Sequence, residues 1–146
     1  MTYKWKDGAR IKADANEAAA VMNALEAEGN LTAKGLLEAS RPEDAPLHDE
    51  FEWRDSEAAE RWREHQARNI INSIVVVKDQ GETVRQFFKI ATNDANYCSI
   101  DAIMTHEDSR DALLRQAKRE LTAFAEKYKQ LEELACVFAA ISQISA

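Results

Sequence analysis

From Thr105 to Ala146 the chain has neither glycine nor proline, and within that stretch Leu114, Ala117, Leu121, Phe124, Tyr128, Leu131, Ala135 and Phe138 recur at alternating steps of three and four. Such spacing keeps one stripe of side chains on a helix at a period of about 3.5 residues, the repeat that lets helices wind around each other. The stretch predicts a long C-terminal helix. "THED" at its start reads as a capping box with Asp108 in the usual Glu position. Leu134, Val137, Ile141 and Ile144 widen the stripe late in the helix. A narrow seam suits a partner helix and a wide one suits the body of the same domain. Two readings therefore stand: a homodimer joined through Leu121, Phe124, Tyr128 and Leu131, or a helix buried within its own chain.

The upstream elements are punctuated by local signals. Asp7-Gly8 lies between two short alternating stretches, which suits a small hairpin or an extended arm. Asp14 to Glu28 is Ala-rich, carries Val21, Met22 and Leu25 on one side, and meets Gly29 as a stop. Thr32 can cap a second helix bearing Leu36 and Leu37, closed by Pro42. The short joint between the two predicts a steep crossing, as in a helix-turn-helix. Asp55 or Ser56 starts a third helix that runs to about Ser73. Laid out at 100° per residue, that helix collects Ala59, Trp62, Gln66, Ala67, Ile70, Ile71 and Ile74 on one broad inward stripe. Arg63 falls in the middle of the stripe and needs a partner there, for which the acids of the preceding loop are the nearest supply. "SIVVVKD" and "TVRQFF" then flank a turn at Gly81, and "NYCSI" returns as a short third strand.

With 146 residues, 45% of them hydrophobic, the chain can build its own core without a disulfide or a structural metal. Cys98 and Cys136 lack CxxC spacing and read as two reduced thiols. The longest apolar run, "SIVVV", is far below the roughly 20 residues a bilayer requires, and the opening lacks the charged-then-apolar pattern of a secretory signal. We therefore expect a cytoplasmic protein without membrane contact.

The net charge of −7 is unevenly spread: Arg41 to Glu60 alone holds two basic and eight acidic groups. This loop reads either as a solvated segment feeding acids to the first turn of the third helix or as a binding surface, with His48, Phe51 and Trp53 as its partner-binding residues. Leu47, Phe51 and Trp53 would equally serve to anchor it. On the outward side of the third helix, Arg61, His65, Arg68 and Asn72 form a polar ridge. Three helices followed by a hairpin is the order of a winged helix, in which the third helix enters the major groove. Arg addresses guanine and Asn adenine, so the ridge is the candidate nucleic-acid contact, although any solvent-facing helix is polar. The acidic loop repels phosphates, softened by screening over about 8 Å, and the hairpin offers only Lys78, Arg85 and Lys89 as cations.

Enzymatic readings find less support. His48, Asp49, Glu50 and Glu52 cluster in sequence, as do His106, Glu107 and Asp108, but neither group has a recognised metal-ligand spacing. The chain has four glycines, no phosphate-binding glycine loop and no GxSxG. Cys98 would act as a nucleophile only with a histidine brought to it by the fold. We expect a non-enzymatic protein without cofactor, catalytic residue or metal.

Residues 5 to 74 resemble a family of small phage and prophage proteins whose pattern is an arm with a Gly turn, a short helix, then "LT…A…SPLH…FEWDD…AA…R…QAR.LI". The matching positions are Leu31, Thr32, Pro46, Leu47, His48, Phe51, Glu52, Trp53, Asp55, Ala58, Ala59, Arg63, Gln66, Ala67, Arg68 and Ile71. Ala45 stands where the pattern has Ser, and Arg54 where it has the first Asp. The resemblance implies a phage or prophage origin and a bacterial host cytoplasm, and nothing about mechanism.

The expected architecture is α+β: N-terminal helices in a helix-turn-helix-like arrangement, a central hairpin or small antiparallel sheet, and a long C-terminal helix. Residues 1–104 form the first part and 105–146 the helix, within one compact unit. The expected function is a winged-helix DNA-binding or regulatory factor. The alternative is a phage accessory or assembly protein that meets a phage or host protein and no nucleic acid.

Overall fold

A computed structural model of the chain describes residues 1–54, 57–90 and 96–145. Among these the class is α+β, with six α-helices and five short strands. Two compact units emerge rather than the single one expected. One comprises Met1–Lys89 with the chain up to Ala102, and the other Ile103–Ala146 with Ile90.

In the first unit, β1 (Thr2–Trp5) leads into α1 (Ala15–Ala27) and α2 (Ala33–Ala39). The Asp14 carboxylate accepts from the backbone of Asn16 and Glu17, and the Thr32 hydroxyl from Gly35, so the Thr32 cap falls where the sequence puts it. Gly29 ends α1 at φ +70°. Its N–H reaches the Glu26 carbonyl and that of Asn30 the Leu25 carbonyl, the paired bonds of a Schellman motif. The joint brings the chain so close that a Cβ on Gly35 would stand 2.1 Å from the Asn30 carbonyl oxygen. Only glycine fits there.

A long loop then reaches α3 (Glu57–Ser73), which packs against α2 and continues into β2 (Ile74–Val77). The proposed caps Asp55 and Ser56 lie outside the described residues. β2 is apolar throughout and takes the centre of a three-stranded antiparallel sheet, as a strand covered on both faces should. On one side Tyr3 pairs with Val76 and Trp5 with Ile74. On the other, β3 (Thr83–Arg85) sets Val84 against Val76. The Asp7-Gly8 segment is thus the extended arm and not a hairpin, because β1 finds its partner far along the chain. The core gathers Met22, Leu31, Leu36, Leu37, Leu47, Ile71, Ile74, Val76 and Phe87.

The second arm of the hairpin is not one strand. The Gln86 N–H bonds to the Ile74 carbonyl while the Gln86 carbonyl accepts from Ile100. At that residue the chain changes partners, and β4 (Phe87–Lys89) pairs with β5 (Tyr97–Ser99) in a separate two-stranded sheet. The third strand of the sequence reading is therefore real, but it joins β4 and not β2.

α4 (Ile100–Thr105) carries the boundary between the units. Thr105 ends it, so the capping box is not formed; α5 (Glu107–Lys127) has His106 at its N-cap, without a side-chain cap bond. The long C-terminal helix is α5, and it stops at Lys127. Leu131 is extended (φ −87°, ψ 93°), and after a short turn at Glu132–Leu134 the chain returns as α6 (Ala135–Ser145), packed on α5. Phe124 meets Tyr128 at 5.0 Å and Phe138 at 6.3 Å between ring centroids. The heptad-like run crosses this reversal, so its two halves lie on different helices. Among the described residues, no helix is long and apolar enough to cross a membrane.

Candidate functional site

Arg63 lies inside the fold, 4% exposed, as its place on the α3 stripe requires. Its Nε donates to the Glu52 carbonyl, Nη1 to Glu60 Oε2 at 2.6 Å and Nη2 to the Arg54 carbonyl at 2.6 Å. The loop thus serves it through backbone carbonyls, while the carboxylate, among the described residues, comes from α3 itself. Gln66 adds a second stitch: its Oε1 accepts from the Glu52 N–H and its Nε2 donates to the Glu50 carbonyl.

The acidic loop is folded onto the body. Leu47 and Phe51 are buried in the core. Trp53 stacks on His48 at 4.7 Å and 8°, donates Nε1–H to the His48 carbonyl at 2.7 Å, and has the Arg41 and Arg63 guanidinia near its ring. His48 Nδ1–H donates to the Ser40 carbonyl at 2.9 Å. His48, Phe51 and Trp53 are therefore engaged within the chain, where they anchor the loop. Glu50 accepts from the Lys12 and Ala13 N–H groups, Glu60 pairs with Arg41 and Arg63, and Glu52 with Arg54. The Arg41 hydrogen bond holds the Glu38 carboxyl below its ordinary range, and the Glu38 bond raises Arg41 in turn. Three of the segment's eight acids, Glu50, Glu52 and Glu60, are thus engaged within the chain. Among the described residues, no three His, Cys, Asp or Glu side chains gather as a metal site.

On α3, Arg61, His65 and Arg68 are exposed. Neither arginine has an ion pair among the described residues. Asn72 is half-buried and its Oδ1 accepts from Arg85 Nη2 at 2.7 Å, so the ridge ends in a tie to β3 rather than in an open amide. Trp62 was expected inside; it is 53% exposed and stacks on His65 at 5.3 Å. The buried stripe is narrower than the helical wheel drew it, centred on Arg63, Ala67, Ile70, Ile71 and Ile74, with Trp62 beyond its edge. Of the wing cations, Lys78 pairs with Asp101, and Arg85 donates to the Phe87 carbonyl and lies over Phe88. Lys89 is exposed and, among the described residues, unpaired.

The ridge runs between two clefts of the first unit. One, of about 210 Å³, is bordered by Arg10, Ile11, Glu50, Trp62, His65 and Asn69. The other, of about 190 Å³, is bordered by Thr32, Lys34, Glu64, Arg68, Lys89 and Tyr97. Arg10, Lys34 and Tyr97 escape sequence reasoning because each comes from a different element; exposure of a cation has no signature in a single chain. In the second unit, Leu121, Phe124 and Leu131 are 37%, 40% and 46% exposed, and Tyr128 is half-buried. Neither Cys98 nor Cys136 is in a disulfide. Comparison with protein-family models, with curated proteins and with solved structures finds no match for this chain.

Proposed function

We propose that this chain is a non-enzymatic DNA-binding protein of winged-helix type, of phage or prophage origin, that acts as a regulatory factor in the cytoplasm of a bacterial host. One contrast carries the reading. Arg41, Arg54 and Arg63 are ion-paired and Arg85 is hydrogen-bonded, whereas Arg61 and Arg68, on the outward side of α3, have neither kind of partner among the described residues. Unpaired arginines two turns apart on an exposed helix are suited to base edges and phosphates. The internal use of Glu50, Glu52 and Glu60 weakens the loop's repulsion of a nucleic acid. The exposed Leu121, Phe124 and Leu131 favour a homodimer through the α5–α6 hairpin, which would present two copies of the ridge.

Titration with duplex DNA at several salt concentrations tests the proposal, since phosphate-driven binding must weaken steeply as salt rises. Absence of binding at low salt overturns it. The assembly-factor reading keeps one observation in its favour, the exposed Trp62 beside Ile11 and Glu50. On that reading the protein-binding surface centres on Trp62 and not on Trp53.

A further inference from the structure

We propose that the cleft formed by Lys34 of α2, Arg68 of α3 and Lys89 of β4 is a binding site for a phosphate group. Three cations from three elements border one concavity, each exposed and without an ion pair among the described residues. Like charges around one concavity repel, and an anion between them turns that repulsion into attraction. The volume of about 190 Å³ leaves room for one tetrahedral anion.

Tyr97, 5% exposed as a residue, also borders the cleft. Its hydroxyl is a donor that a phosphate oxygen seated there accepts from. Burial pushes the phenol above its ordinary range, with Arg68 and Arg85 opposing, so it stays protonated and donates. The Thr32 oxygen already accepts from the Gly35 N–H at 2.8 Å, which leaves its own proton to give. Among the described residues Glu64 is the one carboxylate on the rim, and it opposes the cations.

The phosphate group belongs either to a duplex backbone or to free inorganic phosphate. The backbone form rests on the DNA-binding reading above; the chemistry of the cleft does not. Two arms separate them. In the first, the parent protein and a Lys34→Ala/Lys89→Ala variant are titrated with duplex DNA. We expect an affinity loss of about tenfold across unrelated sequences and a salt slope shallower by about one unit per lost phosphate contact. In the second, inorganic phosphate is added at constant ionic strength while the amide resonances of Thr32, Lys34 and Tyr97 are followed, with chloride as control. Shifts in the parent, lost in the double variant and enlarged in Glu64→Gln, support the site. Both substituted lysines are exposed, so unfolding does not confuse the result. DNA binding unchanged in the double variant, with no phosphate-induced shifts, overturns the cleft and spares the DNA reading. Phosphate shifts without DNA binding support the cleft as a free-phosphate site and overturn the DNA reading. Neither shifts nor DNA binding overturns both.

Discussion

The Arg63 guanidinium sits 5.4 Å from the centroid of the Trp53 ring, joining the middle of α3 to the loop that precedes it. That contact, with the carbonyls of Glu52 and Arg54 on the same guanidinium, turns a strongly acidic segment into part of the core's cover. Arg63→Ala should therefore cost about 3 kcal/mol, mainly from carbonyls left without a donor, since the Glu60 partner is itself 38% exposed and its ion pair is screened. Arg63→Lys should recover little, because one ammonium cannot serve three acceptors in a fixed fork. Arg61→Ala and Arg68→Ala should change stability by less than about 0.5 kcal/mol. Denaturant midpoints measure all four. Equal midpoints for the three alanine variants would mean that Arg63 is not the residue holding the loop.

Gly35 sets two effects against each other. Alanine gains about 1 kcal/mol of helix propensity over glycine. The new methyl would meet the Asn30 carbonyl oxygen at 2.1 Å, and a backbone atom in a Schellman turn has nowhere to retreat. Overpacking of this kind costs about 1–3 kcal/mol or more, so the steric term wins. Gly35→Ala should lower the melting temperature; a rise would show that the α1–α2 joint yields easily.

Gln86 is 2% exposed and its Oε1 has no hydrogen-bond partner among the described residues. A buried orphan acceptor costs about 1–3 kcal/mol, whereas an apolar side chain of similar volume does not. Gln86→Met should raise stability by about 1 kcal/mol in denaturant unfolding. A loss of that size would show that the side chain is needed where the strand changes partners.

What was legible in the sequence is what short-range chemistry decides. Gly29 and Thr32 act on residues within one turn of themselves, and the stop and the cap form where the residue types put them. The burial of Arg63 follows from its place between Ala67 and Ile70 on one face. Trp62 was misplaced because a helical wheel gives direction but not the width of the covering surface. The pairing of β1 with β2 spans most of the first unit and leaves no local trace. Gln86 and Leu131 break their elements without glycine or proline, and only the tertiary partners at Ile100 and Phe124 to Phe138 explain why. On the candidate site, the ridge was visible as a spacing. The cleft beside it was not, since Lys34 and Lys89 meet only after α2 and β4 are assembled.

The second unit carries the final prediction. Leu114, Leu121, Phe124, Leu131, Val137 and Ile144 are exposed, and α6 has no charged residue from Ala135 to Ser145. The α5–α6 hairpin encloses little interior of its own, and segments of about 40 residues or fewer generally need an external staple or a partner. We expect a second copy of the hairpin to supply it, burying the two apolar faces against each other. Light scattering should then give twice 16.5 kDa for the parent and 16.5 kDa for Phe124→Asp. Because Phe124 also touches Phe138, Leu121→Asp serves as a second variant: Leu121 lies one turn away on the exposed face and takes no part in that ring contact. It should dissociate the dimer while circular dichroism keeps its helical signal. A parent that scatters as a monomer, or a Leu121→Asp variant that stays dimeric, would remove the α5–α6 hairpin as the interface.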